Sequence, residues 1–261
     1  MNVITMRNSK GGVGKTNLAI SISTYLNLEG FKVALIDTEE FGIIEQIFKS
    51  KERKSLLNSF KDEINDKIKN CSANYKHLNM YVQQLAYIER ALGLKVISHN
   101  IENGHDENIE ILGKKLRELE EEGYDYVVID TPGKNISSVE NVCIISDLVL
   151  MPQKDTVLDF KGVVKSLDKD VDLSKYRRVI WEDKSSCFES EDLIEQFKVV
   201  DSFLGSLSSR VYNSIGFNRA LNKCLGVCEM NRISSGKDKI STNKASEMIA
   251  DIVKEIKQMG V

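Results

Sequence analysis

The residues Lys10-Gly11-Gly12-Val13-Gly14-Lys15-Thr16 stand directly behind an apolar run from Val3 to Met6. Their spacing fits a phosphate-binding loop, Gly-x-x-x-x-Gly-Lys-[Ser/Thr], with its first place relaxed to Ser9. A glycine-rich turn between a strand and a helix can point successive backbone N–H groups inward, which makes a nest for an anion. Gly11, Gly12, Val13, Gly14 and Asn17 are expected to line such a nest. Lys15 would neutralise β- and γ-phosphate charge, and the Thr16 hydroxyl would ligate magnesium. Lys10 has no role in an ordinary loop of this kind and needs a separate explanation.

Magnesium takes hard oxygen ligands, keeps several of its waters and uses few protein groups. A nucleotide site on this loop therefore wants an acid at the tip of a neighbouring strand. Asp130 closes the stretch Tyr124 to Ile129, apolar but for Asp125, and Asp37 closes the run Val33 to Ile36. Asp130 would reach the metal through water, and Asp37 is a second candidate. The alternative for either is a helix N-cap or a turn acid. In doubly wound sheets ligands bind at the carboxyl ends of the strands, which would bring both acids to the loop.

The elements that must position these groups alternate. A strand over 2–7 is followed by the loop and a helix over 15–29, with Leu18, Ile22, Tyr25 and Leu26 as its core-facing stripe. Gly30 is a plausible C-cap, and residues 32–37 form a strand apolar on both faces, as in a buried parallel sheet. From Phe41 to Leu92 the pattern is helical and charged; Lys49, Lys51, Arg53 and Lys54 read as a solvated face. A short strand over 94–98 precedes an amphipathic helix over 107–122, with Ile109, Leu112, Leu116 and Leu119 inward and Glu120 to Glu122 in solvent. After the Asp130 strand come a helix over 138–145, a strand over 147–151, Pro152, a helix over 158–169 and a strand over 177–182. An acidic helix over 190–204 leads to a last segment and a closing helix over 244–259. The expected fold class is α/β, a doubly wound and mostly parallel sheet flanked by helices.

With 261 residues and no Gly/Ser/Pro-rich linker, the chain reads as one domain over 1–261 with a helical insertion at about 43–92. A formal net charge of −3 argues against a globally basic nucleic-acid binder but leaves room for a local patch. No basic stretch followed by a long apolar core opens the chain, and no apolar run approaches the roughly 18–20 residues of a membrane span. Cytoplasmic placement is the expectation. The five scattered cysteines read as free thiols, with Cys224 and Cys228 able to share a helix face without further metal ligands nearby.

On these residues the chain resembles the ParA/MinD ATPases. Lys10 to Thr16 is similar to their deviant Walker A motif, and Asp130-Thr131-Pro132 to their Walker B segment; the stretch through Asp147 to Pro152 and on to about Gly162 follows the family pattern. The likeness weakens over 43–92 and 171–205. It implies a P-loop ATPase that hydrolyses ATP with Mg²⁺ slowly unless a partner protein stimulates it. It also implies a homodimer with ATP sandwiched between subunits, Lys10 reaching across the interface to the other subunit's nucleotide. Asp37 would be the Walker A′ acid near the attacking water and the metal. Lys10, Lys15, Asp37 and Glu39 would then carry catalysis, and Thr16, Asp130 and Asp37 would serve the metal. One departure stands out: where the family commonly reads Asp-x-Asp followed by Pro-Gln, this chain has Asp37-Thr38-Glu39-Glu40-Phe41. Glu39 is one methylene longer, and water positioning depends on sub-ångström geometry. At the base-binding strand the family often shows asparagine, whereas residues 180–183 are Ile-Trp-Glu-Asp.

Three uses of such an ATPase compete. DNA segregation needs lysines and arginines against phosphates and not a basic protein overall. Residues 205–245 carry a net +5 and residues 182–201 a net −5. Arg210, Arg219, Lys223, Arg232, Lys237 and Lys239 are the candidate contacts to nonspecific DNA, with a ParB-like centromere-binding protein as the partner and the nucleoid as the place. With the loop at residue 10, an operator-reading helix-turn-helix ahead of it is not expected. A MinD-like membrane role would want a basic amphipathic closing helix; Met248, Ile249, Ile252, Val253, Ile256 and Met259 on one side suit core docking better. A metabolic or metal-carrier role would want suitably placed cysteines, which Cys143 does not supply.

Overall fold

The computed structural model describes residues 1–70, 75–101, 106–154, 163, 167, 172–182, 204–212 and 214–261. The expected helices over 158–169 and 190–204 fall almost wholly outside the described residues, as do Cys71 and Cys187.

Among the described residues seven strands form one parallel sheet. They are β1 (Asn2–Met6), β2 (Val33–Asp37), β3 (Lys95–Ser98), β4 (Tyr126–Asp130), β5 (Leu148–Lys154), β6 (Tyr176–Glu182) and β7 (Val211–Tyr212). Their order across the sheet is β3-β2-β4-β1-β5-β6-β7, with every pairing parallel. Each short apolar run becomes a strand covered on both faces, which the sequence requires: β2 and β4 are buried at every position.

The helices supply that cover. On one face lie α1 (Lys15–Glu29), α2 (Ile43–Lys49), α3 (Lys51–Lys69), α4 (Tyr75–Gly93), α7 (Ile215–Asn222), α8 (Val227–Ile233) and α9 (Gly236–Gln258). On the other lie α5 (Asp106–Glu121) and α6 (Ser137–Ile144). Alternate strand residues divide accordingly: Ile4, Leu35, Val128, Leu150 and Val179 pack toward the first set, and Val3, Ile36, Ile129 and Val149 toward the second.

Three expectations change. The chain does not leave the sheet at Pro152: β5 continues through it to Lys154. Leu150 accepts from the Arg7 amide, so Pro152, two residues on, turns its missing N–H to the same side, beyond the end of β1; there its carbonyl accepts instead from Asn8 Nδ2 at 2.8 Å. The closing helix begins at Gly236, eight residues earlier than its apolar periodicity announces. Its polar first turns are held by packing, with Thr242 buried and Gly216 of α7 fitted against Ser241 and Thr242. Cys224 shares no helix face with Cys228, because it sits between α7 and α8 at φ 56°.

The solvated basic face also needs correcting at one residue. Lys49, Lys51 and Lys54 are exposed, but Arg53 is 2% exposed. Its guanidinium meets the fully buried Glu229 of α8 through two bonds of 2.9 and 2.7 Å, and also donates to the carbonyls of Cys224 and Ala91. The Phe48 ring covers it 4.2 Å away. The insertion thereby closes onto the C-terminal helices. Beside it, Arg232 pairs with Glu29 of α1 and lies over the rings of Tyr25 and Tyr87.

Candidate functional site

The sheet register assembles the site. Met6, the last residue of β1, lies level with Asp130, and Asp130 lies level with Asp37. The glycine loop that leaves β1 therefore turns directly above two carboxylates. Gly12 and Gly14 hold φ of 73° and 94°, the left-handed region that side chains resist, and α1 starts at Lys15. That helix carries no side-chain cap at Gly14, so its first N–H groups face the loop.

Buried polar side chains fix the entry to the loop. Asn8 Oδ1 accepts from the Lys10 amide at 2.9 Å while its amide nitrogen holds Pro152. Arg7, 1% exposed, donates to the Lys134 carbonyl and to Asn135 Oδ1, which ties the base of the loop to the segment after Asp130. Thr131 Oγ1 donates to the Met6 carbonyl, and Thr38 Oγ1 to the Asp130 carbonyl. Gly133 lies across the mouth: a Cβ there would come within 3.4 Å of Lys15 Nζ and 3.5 Å of the Gly11 amide nitrogen.

At the centre, Thr16 Oγ1 donates to Asp130 Oδ2 across 2.6 Å. The other oxygen, Oδ1, is buried without a hydrogen-bond partner among the described residues. Burial pushes the Asp130 carboxyl up to about 7 against the opposing pull of the Thr16 hydroxyl and Lys15, while Asp37 and Glu39 add repulsion. Lys15 is 6% exposed, and burial lowers its pKa against the attraction of Asp130 and Glu39. Its ammonium reaches the Lys10 carbonyl at 3.4 Å. Asp37 is also raised by burial, though its oxygens accept from the Ile44 and Glu39 amides at 2.8 and 3.1 Å. Asp37 therefore fills the turn-acid part that the sequence left open, fixing the segment that leads into α2.

An orphaned carboxylate oxygen beside a threonine hydroxyl is a hard-oxygen donor set, and it fits a magnesium ion completed by water and phosphate. Among the described residues no group of three or more His, Cys, Asp or Glu could hold a metal by itself. The fit thus calls for oxygens from a ligand.

The sequence matches the model of the AAA domain family, AAA_31, over residues 1–177. The chain belongs to this family. Its fold is that of the ParA/MinD-type Walker A ATPases, which its loop resembles. The uncharacterised protein MJECL24 of Methanocaldococcus jannaschii is 26% identical over 177 residues, and this AAA domain chain spans 64% of that curated relative's length. A putative plasmid partition protein of Borrelia burgdorferi, solved with AMPPNP bound, is similar over 97% of this chain and 99% of its own, at 20% identity and a TM-score of 0.53. MinD in the MinC:MinD cell division complex of Aquifex aeolicus is similar over 100% of this chain and 96% of its own, at 19% identity and a TM-score of 0.58.

Lys15, Thr16, Asp37 and Asp130 come together below the loop of Gly11, Gly12, Val13 and Gly14, Asn17 follows in the first turn of α1, and Glu39 lies near enough for its charge to bear on Lys15 and Asp130. Lys10 stands half-buried at the loop's entrance. The six basic candidates of the C-terminal region divide. Arg219, Lys237 and Lys239 are exposed; Lys223 is exposed and pairs with Asp238 at 2.5 Å. Arg210 and Arg232 are half-buried and engaged with Glu182 and Glu29. Sequence reasoning missed Arg7, Gly133 and Trp181. Arg7 follows an otherwise apolar strand and Gly133 follows Asp130-Thr131-Pro132, so both had a positional signal; Trp181 had only its place at a strand end.

Proposed function

We propose that this chain is a magnesium-dependent ATPase that segregates DNA as an ATP-sandwich dimer, released from DNA by a centromere-binding protein. The observation that carries the ATPase reading is the Lys15–Thr16–Asp130 cluster beneath the glycine loop, with an oxygen of Asp130 left for a ligand-borne cation. The AMPPNP in the Borrelia partition protein, of the same fold, supports the nucleotide assignment.

In this reading the loop N–H groups and Lys15 hold the phosphates, and the partner subunit's Lys10 enters from across the interface. Thr16, and Asp130 through water, would hold magnesium, which supplies charge neutralisation between the β- and γ-phosphates. Asp37 orders the turn from which Glu39 orients the attacking water, and Gly133 lets the segment after Asp130 lie close over the loop. Positioning and electrostatics do the work, with no covalent intermediate.

DNA contact falls to the exposed Arg219, Lys237 and Lys239, with Lys223 beside them. Arg210 and Arg232 act inside the fold in this reading. A membrane-bound role loses most of its support, since Met248, Ile249, Ile252, Val253 and Ile256 of α9 are buried in the core; Met259, just past its end, is exposed instead of docked. No described helix is long and apolar enough to cross a membrane. DNA retention measured with ATP, ADP and no nucleotide at several salt concentrations tests the reading. ATP-dependent, salt-sensitive retention is expected; binding indifferent to nucleotide, or none at low salt, overturns the segregation role.

A further inference from the structure

Trp181 is the chain's one tryptophan and the penultimate residue of β6. It is 7% exposed, and its indole Nε1 is buried with no acceptor among the described residues. Its ring lies against the nucleotide loop: a Cβ at Gly14 would come within 2.8 Å of Cε2 and 3.1 Å of Nε1. Gly14 is the residue in left-handed backbone that immediately precedes Lys15 and caps α1. The indole also meets Phe217 of α7, with ring centroids 5.2 Å apart and planes inclined at 57°. Trp181 pairs in register with Val211 of β7, and α7 packs against α9 through Gly216. One side chain therefore spans from the glycine loop to the helices that carry Arg219, Lys237 and Lys239.

We infer that Trp181 is a positioning residue of the nucleotide loop, setting the backbone of Gly14 and linking the loaded loop to the C-terminal helices. The inference rests on the reading of the loop as a nucleoside triphosphate site. Gly14 can approach the ring only because it lacks a side chain, so any shift of its backbone must move the indole or open a gap beside it. A phosphate drawn onto the N–H groups around Gly14 and Lys15 acts directly on that contact. An indole N–H without an acceptor is costly to bury. Its retention beside the loop gives the packing a polar group whose surroundings change when an anion arrives.

The full-length chain is titrated with ATP and with ADP in magnesium, following Trp181 emission and, separately, heat by calorimetry. An emission change that saturates with the calorimetric Kd is expected, with different end points for ATP and ADP. Trp181→Leu should weaken calorimetric ATP binding by about tenfold, because a misaimed loop loses alignment. Trp181→Phe, which keeps a ring against Gly14, should restore most of the affinity. Heat of binding without any emission change, or a Leu variant that binds like the parent, overturns the inference alone. No heat with either nucleotide overturns the reading of the loop, and the inference with it. Should the Leu variant not fold, the emission titration of the unmodified chain still decides.

Discussion

Thr16 donates its hydroxyl proton to Asp130 across 2.6 Å, joining the first turn of α1 to the end of β4. Replacing Thr16 with valine keeps the shape and removes the donor, leaving a fully buried carboxyl without that partner. The expected loss of stability is about 1–3 kcal/mol in urea unfolding. Magnesium-dependent ATP binding should weaken by at least about tenfold, a difference that EDTA erases. Equal calorimetric affinity for parent and variant in magnesium would remove Thr16 from the metal's surroundings.

A pH dependence follows from the same carboxyl. Asp130 titrates near 7 in the folded chain against an ordinary 3.8, so between those values the folded state holds more protons than the unfolded. Its contribution to stability is fully present below about 4 and is lost as pH rises through 7, by at most about 4 kcal/mol. Asp37, raised in the same direction, adds to the trend. Urea unfolding in EDTA between pH 5 and pH 8 should show the decline, and Asp130→Asn should flatten it.

Arg53 and Glu229 form a buried pair, and breaking it from one side should cost far more than removing both charges. Arg53→Met is expected to destabilise by about 3–5 kcal/mol, since Glu229 then stays buried without its charge partner, keeping the Gly226 amide as a donor. The double variant Arg53→Met, Glu229→Gln should recover part of that loss. A double-mutant cycle in urea with no coupling energy would count against the clamp.

Gly226 faces Thr24 of α1 so closely that a Cβ would collide with all three side-chain heavy atoms of the threonine, its Cβ included. Its φ of −72° is ordinary, so the requirement for glycine is one of space. Gly226→Ala should cost about 1–3 kcal/mol by overpacking. Pairing it with Thr24→Ala removes the two nearest atoms but leaves a Cβ 2.9 Å away, so part of the stability should return, read as the urea midpoint; no recovery at all would place the strain elsewhere.

The exposed and engaged basic residues should separate in function. Lys237→Glu with Lys239→Glu is expected to lower ATP-dependent DNA retention and its salt sensitivity while leaving the thermal midpoint nearly unchanged. Arg232→Gln should do the reverse, lowering the midpoint through its lost contacts with Glu29, Tyr25 and Tyr87. Equal effects of both on DNA retention would undo the division.

Much of the fold was legible because buried parallel strands write themselves as short apolar runs. Those ending in Asp37 and Asp130 were placed within two residues at their starts and exactly level with the loop by the sheet's register. The loop itself was legible from Gly14-Lys15-Thr16. What stayed hidden were charges whose partners lie far along the chain: Arg53 looked like its exposed neighbours because nothing local announces Glu229. The first turns of α9 were hidden for the opposite reason, being polar in sequence and held by tertiary contacts. In the site, the packing of Trp181 on Gly14 joins positions with no periodic relation, so no pattern of spacing could expose it.

The Arg53 guanidinium completes its contacts only with Cys224 and Glu229, 171 and 176 residues downstream. At a synthesis rate of about 5–20 residues per second, the insertion waits on the order of ten seconds or more for them. During translation a cationic, apolar-flanked helix pair thus stays open after the nucleotide loop has emerged. The closing of the insertion onto the C-terminal helices is thereby left to the last part of the chain to be made.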